Sequence, residues 1–227
     1  METLNPAPTA VIENCSRCKK PPNLCFCSEI TPVQNERFVM ILQHPQEPDK
    51  YLGTARLAQL GLKNSALLVG LSWPNLAKAL QKAGYEGEPI AHEWAVLYLG
   101  AKIARPPGKM QPRIHAYVKY KNQMSLDTEG EMQALCDSVK GIIILDGTWS
   151  QAKALWWRNA WLSKLKRLAV TPRTHSLYGN LRKEPRRECL STIESIAEVL
   201  EALREPTENS AALRAIFGKL IEKYKRK

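Results

Sequence analysis

Residues 142–151, with the sequence IIILDGTWSQ, decide the fold of this chain, because a run of branched apolar side chains ends abruptly in a carboxylate, a glycine and a tryptophan. The run is short and is bounded by Gly141 and Gly147, which predicts a parallel strand buried on both faces. Open α/β sheets bind their ligands at the carboxyl ends of such strands. Asp146 is therefore predicted to lie where a ligand binds.

The same residues also fit the start of a helix. Thr148 is followed three residues later by Gln151, which is the spacing of a capping box, where the two side chains satisfy free backbone N–H groups. Such a cap stabilises a helix by ~1 kcal/mol and needs no ligand. Capping does not account for Trp149, whose indole suits a stacking pocket as well as a core. Helix initiation and a functional site both stay open here.

A second polar junction lies near the C-terminus, where residues 189–194 read CLSTIE. Ser191 and Glu194 again have the spacing of a capping box. The alternative is that backbone N–H groups at the helix start bind a carboxylate or a ribose oxygen. Two junctions of this kind can frame a single pocket.

Apolar runs and helical patterns alternate along the rest of the chain. Predicted strands cover residues 38–42, 66–71, 94–99, 142–145 and 165–170, with an alternating pattern at 114–120, and predicted helices cover 54–60, 75–83, 129–139, 149–162, 191–203 and 210–224. This alternation predicts an α/β fold, a mostly parallel sheet with helices on both faces. We expect a tail and a small cysteine knuckle in residues 1–35 and one larger domain in residues 36–227.

The knuckle contains four of the six cysteines of the chain, namely Cys15, Cys18, Cys25 and Cys27. Thiolates at such short separations can converge on one tetrahedral Zn(II), which would order a loop that has little apolar core of its own. Disulfides are the alternative, and a reducing cytosol disfavours them. The other two, Cys136 and Cys189, stand alone and are predicted to be buried apolar residues.

The charge of the chain points to a polyanionic partner. Lys and Arg total 33 against 22 Asp and Glu, which gives a net charge of +11 and a pI of about 9.4. Nucleic acid fits this charge better than a membrane surface. No apolar run reaches the ~18 residues of a membrane span, and residues 1–13 lack a signal-peptide pattern, so we expect a cytoplasmic protein. Phosphate-loop and dinucleotide-binding glycine motifs are absent from the sequence, as is an H-E-x-x-H metal motif.

Five separate motifs in a consistent order resemble the DTW-domain family, which in bacteria includes the tRNA-uridine aminocarboxypropyltransferases. They are Asp146-x-Thr148-Trp149, the cysteine knuckle, Gln43-His44-Pro45-x-Glu47 with Thr54-x-Arg56, Arg182-Lys183-x-Pro185, and Ser191-Thr192-x-Glu194. Each motif alone is weak, but five in register are specific. The resemblance extends from about Cys15 to Leu203.

The resemblance implies a SPOUT-like α/β domain that binds S-adenosylmethionine, a fold whose C-terminal region can be knotted. The implied reaction transfers the 3-amino-3-carboxypropyl group of S-adenosylmethionine to N3 of a uridine in tRNA and releases methylthioadenosine. The sulfonium carries three activated carbons, so the enzyme selects one of them by positioning it against the nucleophile.

The resemblance also assigns roles to particular residues. The implied catalytic residues are Asp146 and Trp149; the implied cofactor-binding residues are Leu145, Asp146, Gly147, Thr148, Leu190, Ser191, Thr192 and Glu194; the implied RNA-binding residues are His44, Glu47, Arg56, Arg182, Lys183, Arg186 and Arg187; and the implied ligands of a structural zinc are Cys15, Cys18, Cys25 and Cys27. Asp146 can either deprotonate and orient the uracil imide or hold the ammonium group of S-adenosylmethionine. Trp149 can stack on the target base or form a wall of the pocket.

Two other functions fit the same residues. One is a SPOUT-type RNA methyltransferase, which would use the same cofactor. The other is a non-catalytic, zinc-containing RNA-binding protein, in which the two polar junctions are only helix caps. The basic charge fits all three, whereas the paired junctions favour an enzyme. We expect a monomer that binds tRNA and no membrane.

Overall fold

The computed structural model describes residues 13–48, 50–97, 114–117, 129–170, 175–181 and 190–226. Its strands are β1 (Phe38–Gln43), β2 (Ser65–Val69), β3 (Trp94–Leu97), β4 (Ile114–Tyr117), β5 (Gly141–Asp146) and β6 (Lys166–Val170). Its α-helices are α1 (Ala55–Gly61), α2 (Leu76–Ala83), α3 (Glu129–Ser138), α4 (Trp149–Arg158), α5 (Thr192–Ala202) and α6 (Thr207–Lys225). All the predicted strands and helices are present, although parts of the predicted strands at 94–99 and 114–120 lie outside the described residues.

The strands form one sheet in the order β2-β1-β5-β3-β6-β4. Every neighbouring pair is parallel except β4 with β6, which is antiparallel. The mostly parallel sheet predicted from the sequence is thus confirmed. In the centre, β1 and β5 pair in register, so that Gln43 lies beside Asp146 at the carboxyl edge.

Helices cover both faces of this sheet, as the sequence predicted. Even-numbered β5 residues such as Ile142 and Ile144 pack with α1, α3, α5 and α6. Odd-numbered ones such as Ile143 and Leu145 pack with α2 and α4 on the other face. Because side chains alternate along a strand, Asp146 points to the α5 face. None of the described helices is both long and apolar enough to cross a membrane.

The prediction of one helix over residues 149–162 is wrong at its C-terminal end. α4 stops at Arg158, and Ala160–Lys164 form a separate 3-10 helix. The reason is Asn159, whose backbone leaves the helical conformation. Its side-chain amide donates to the carbonyl of Leu155 at 2.7 Å, and its side-chain oxygen accepts from the backbone N–H of Trp73 at 2.8 Å.

The cysteine knuckle packs directly on the α5 face of the sheet. Cys18, Phe26, Cys27 and Ile30 are buried and belong to the same apolar core as α5 and α6. Cys136 is also buried in this core, as predicted. Cys189 lies outside the described residues, and the division of the chain at residue 35 stays a prediction.

A buried ion pair joins the turn between α5 and α6 to the segment before β1. The Glu205 side chain is 1% exposed and accepts from the Arg37 guanidinium at 3.1 Å. It also accepts from the backbone N–H groups of Glu36 at 3.0 Å and Arg37 at 2.8 Å. The same guanidinium donates to the carbonyls of Val139 and Cys136 at the end of α3. The ion pair of Glu205 and Arg37 therefore holds three parts of the chain together.

Glu205→Ala is expected to lower the free energy of unfolding by about 3–5 kcal/mol, because it leaves a buried guanidinium without its partner. Urea unfolding followed by circular dichroism measures the change. Glu222→Ala is the matched control, because Glu222 pairs with Arg226 on the surface, where the two side chains are 59% and 75% exposed. That control should change stability by no more than about 1 kcal/mol. Equal effects of the two substitutions would contradict the role of the buried pair.

Candidate functional site

The site begins where the two central strands end. Asp146 is buried at the end of β5. Gln43, at the end of β1, donates from Nε2 to Asp146 Oδ2 at 2.8 Å. Gln43 Oε1 is buried and, among the residues described, has no hydrogen-bond partner. Gln43 thus fixes one oxygen of the carboxylate and leaves a buried acceptor beside it.

The second polar junction meets the first one at the same carboxylate. Thr192, the first residue of α5, donates from its hydroxyl to Asp146 Oδ1. Asp146 is thus held by side chains from a neighbouring strand and from a helix that follows it by 46 positions. The two polar junctions singled out in the sequence thus meet at one carboxylate, and their role in binding a ligand stays a prediction.

Both junctions are also helix caps, so the two interpretations of each are compatible. Thr148 caps α4: its backbone N–H donates to Gln151 Oε1 at 2.6 Å, and its hydroxyl accepts from the backbone N–H of Gln151 at 3.4 Å. Ser191 and Glu194 form the same box at the start of α5. The caps fix the directions of two helices whose first residues surround Asp146.

A pocket opens beside Asp146 between the ends of β3 and β5 and the start of α5. It is lined by Leu97, Ile144, Leu145, Gly147, Leu190, Thr192 and Ser195. Four of these residues have apolar side chains, and Thr192 and Ser195 contribute hydroxyl groups. The sequence analysis named four of these seven residues. The other three were not predicted as site residues: Ile144, which precedes Leu145 in β5, Leu97, which ends a strand at the same edge, and Ser195, which shares a helix face with Thr192.

Glu194 contributes to the site indirectly. Its carboxylate is buried and accepts from the Leu177 backbone N–H at 2.8 Å, from the Ser176 hydroxyl at 2.7 Å and from the Ser191 hydroxyl at 2.6 Å. It is not among the residues that line the pocket. The sequence analysis assigned it to cofactor binding, whereas these contacts show it fastening the segment around Leu177 to the start of α5.

Lys20 is a member of the site region that the sequence analysis missed. Its side chain is buried and donates to the carbonyls of Lys50 at 2.7 Å and Gly53 at 2.6 Å. Burial lowers the pKa of Lys20 to about 8, while the nearby charges of Cys18 and Asp146 act in the opposite direction. The knuckle is thereby fastened to the loop between β1 and α1. A lysine in a polar loop gives no sequence signal of such burial.

That loop contains two of the predicted RNA-binding residues, His44 and Glu47, and a third, Arg56, follows it in α1. The backbone N–H of His44 donates to the carbonyl of Asp146 at 2.9 Å, which places His44 at the carboxyl edge. Glu47 is buried and accepts from Lys50 Nζ at 2.6 Å, and Arg56 is half-buried in α1. The other four, Arg182, Lys183, Arg186 and Arg187, lie outside the described residues.

The four knuckle cysteines have the arrangement of a metal site. Their sulfur atoms all lie within 4.8 Å of one another, and Cys15 Sγ is 3.9 Å from Cys27 Sγ. Zinc–sulfur bonds of about 2.3 Å in a tetrahedron separate two sulfurs by roughly 3.8 Å. The backbone N–H of Cys18 lowers the pKa of Cys15 to about 6, whereas burial raises the pKa of Cys18 and of Cys27. The donor set therefore fits a zinc ion.

These features define an α/β protein with a pocket at the carboxyl edge of its sheet and a four-cysteine knuckle packed on the α5 face of that sheet. The chain belongs to the DTW domain family, whose model matches residues 12–225. The family prediction made from the motifs is thus confirmed.

Curated relatives carry one name. The tRNA-uridine aminocarboxypropyltransferase 2 of Macaca fascicularis is 28% identical over 200 residues, which are 84% of this chain and 56% of the relative. The protein of the same name from Drosophila melanogaster is 27% identical over 198 residues, 86% of this chain and 68% of the relative. The Mus musculus protein is 25% identical over 193 residues, 84% of this chain and 56% of the relative. The chain thus spans little more than half the length of two of these three relatives. No solved structure matches it.

Proposed function

We propose that this protein is a tRNA-uridine aminocarboxypropyltransferase, which transfers the 3-amino-3-carboxypropyl group of S-adenosylmethionine to N3 of a uridine in tRNA. Membership of the DTW domain family and the shared name of three relatives support this proposal. The observation that carries it is the convergence of both polar junctions on Asp146, beside a pocket of suitable character. If the two junctions were only helix caps, there would be no functional reason for both to lie against the same carboxylate.

The reaction forms one bond and breaks another. N3 of uridine bonds to the terminal methylene of the aminocarboxypropyl chain, the carbon–sulfur bond breaks, and its electron pair neutralises the sulfonium. The imide proton passes from N3 to solvent water, and methylthioadenosine departs. Because the sulfonium has three activated carbons, the protein must hold the chain carbon, rather than the methyl group, in line with N3.

We infer that Asp146 positions the co-substrate. Gln43 and Thr192 each donate to one of its oxygens, which fixes the carboxylate in a single orientation beside the pocket. S-adenosylmethionine carries positive charge on its ammonium and sulfonium groups, and a fixed negative charge beside the pocket attracts and orients such a ligand. The pocket lining would hold the rest of the molecule.

Ser191, Thr148 and Glu194 act in this scheme by holding the helix starts, and Trp149 is available to stack on the target base. His44 and Arg56 would contact the RNA at the carboxyl edge, together with Arg182, Lys183, Arg186 and Arg187, while the buried Glu47 would hold their loop through Lys50. Zinc held by the four cysteines would stabilise the knuckle. We place the reaction in the cytoplasm, where thiols stay reduced, and we expect the enzyme to work as a monomer.

Incubation with unmodified tRNA and S-adenosylmethionine tests the proposal. We expect mass analysis of the digested nucleosides to show a uridine heavier by one aminocarboxypropyl group, and methylthioadenosine to accumulate. A much lighter methyl adduct with S-adenosylhomocysteine would instead show a methyltransferase. Tight binding of tRNA without binding of S-adenosylmethionine would show an RNA-binding protein without this activity. Either of these results would overturn the proposed function.

A further inference from the structure

α4 extends along the carboxyl edge of the sheet and away from the pocket. It begins directly after β5, at Thr148. The Asn159 side chain, just past its last residue, donates to the carbonyl of Leu71 at 3.1 Å and accepts from the Trp73 backbone N–H at 2.8 Å. These two residues follow β2, which lies two strands away from β5. The helix therefore connects the pocket to a distant part of the same edge.

The outer face of α4 has an unusual composition. Trp149, Lys153 and Trp157 are spaced by four residues and so form one stripe on the helix surface. Trp149 is 44% exposed, Trp157 is 71% exposed, and Lys153 is exposed between them. The opposite face is apolar and buried through Ala152 and Leu155. We call Trp149, Lys153 and Trp157 the α4 stripe.

The charge around the α4 stripe is of one sign. From Gly147 to Lys183 the sequence contains no aspartate or glutamate, whereas lysines and arginines recur throughout. Arg158 is exposed beside Trp157 in the last turn of the helix. Exposed tryptophan rings are costly in water unless a partner covers them. A partner that offers both flat aromatic faces and negative charge complements this surface.

We propose that the α4 stripe binds the unpaired segment of the tRNA that contains the target uridine, with Trp149 stacking at the target base, Trp157 stacking on a base further along the strand and Lys153 contacting a phosphate. This inference rests on the proposed function, because it names the surface by which the same site receives its RNA. Single-stranded nucleic acid is bound in general by aromatic side chains placed among cations. Eight residues of helix separate the two indoles by about 12 Å, which is room for about three stacked bases.

The α4 stripe begins beside the pocket and leads away from it. Trp149 lies in the first turn of α4, within three residues of Asp146, so the stripe starts at the pocket. A base bound at Trp157 would then lie several nucleotides from the uridine in the pocket. The stripe would accordingly select tRNA whose target uridine lies in a flexible, unpaired segment rather than in a helix.

Three substitutions, measured by tRNA binding at several salt concentrations, test this inference. We expect Trp157→Leu to weaken tRNA binding about tenfold without changing its salt dependence, because stacking is lost and no charge is removed. Trp157→Phe keeps an aromatic face and should retain most of the affinity. Lys153→Ala should weaken binding. It should also reduce the slope of log affinity against log salt concentration by the amount expected for the loss of one phosphate contact. Trp157 is largely exposed, so thermal unfolding should be unchanged in these variants.

Lys82→Ala, at an exposed position in the last turn of α2, is the control and should leave affinity and salt slope as in the unsubstituted protein. If that protein modifies tRNA and Trp157→Leu binds tRNA equally well, the stripe is not an RNA surface, although the proposed function stands. If Trp157→Leu instead abolishes a dimer detected by sedimentation, the stripe contacts a second copy of the chain, and the inference is again overturned. Failure of the unsubstituted protein to modify tRNA would count against the proposed function itself.

Discussion

Asp146→Asn is expected to lower the rate of aminocarboxypropyl transfer by roughly 10²-fold or more while the protein remains folded. The substitution keeps the shape of the side chain and removes its negative charge. It also turns one accepting oxygen into an amide that donates. Gln43 can accommodate this change by rotating its own amide, because its Oε1 atom is buried without a partner among the described residues. Single-turnover measurement of the modified nucleoside gives the rate, and urea unfolding checks the fold.

Two further measurements separate the roles of Asp146. If the carboxylate orients the co-substrate, calorimetry should show weaker binding of S-adenosylmethionine to the Asp146→Asn variant. If it removes the imide proton of uridine instead, binding should be unchanged and a higher pH should restore part of the rate. Asp137→Asn is the matched control, since Asp137 is an exposed carboxylate on α3. An Asp146→Asn variant with full activity would show that the two junctions are helix caps and nothing more.

The elements around the site could be predicted from the sequence because each has a strong local cause. The apolar run that ends at Asp146 has the composition of a buried parallel strand, and the structure shows that strand at the centre of the sheet. The capping boxes at Thr148 and Ser191 follow from three-residue spacings, and both are present. The cysteine cluster follows from spacing as well, since four thiols so close in sequence have little room to separate.

The contacts that turn these elements into one site could be predicted only in outline. The bond from Thr192 to Asp146 depends on how α5 packs on the sheet, which no local pattern specifies. The contacts of Glu194 with Ser176 and Leu177 could not be predicted for the same reason, because they form only in the tertiary fold, and its part in cofactor binding stays a prediction. Lys20 shows most clearly what the sequence does not reveal. A lysine beside prolines has the composition of a solvated loop, and only the packing of the tertiary fold buries it.

Cys18→Ser is expected to release the zinc ion and to lower the free energy of unfolding by more than the Glu205→Ala substitution does. The free energy of zinc binding to a structural site, about 10–16 kcal/mol in isolated zinc fingers, is also folding free energy. Here Cys18 and Cys27 belong to the same core as α5 and α6, so a disordered knuckle would expose part of that core. Elemental analysis of the purified protein should find one zinc per chain before the substitution and none after it.

Cys136→Ser is the control for the zinc prediction. Cys136 is equally buried but lies outside the cluster, so its substitution should leave the metal content unchanged and lower the free energy of unfolding by about 1–3 kcal/mol.

Chelation should reproduce the effect of Cys18→Ser, and added zinc should reverse it. Because Lys20 joins the knuckle to the carbonyls of Lys50 and Gly53, loss of zinc should also increase proteolysis in the loop between β1 and α1 and reduce transfer activity. A protein that is purified without metal, yet is as stable and as active after treatment with a chelator as before, would show that the four thiols hold the knuckle by packing alone.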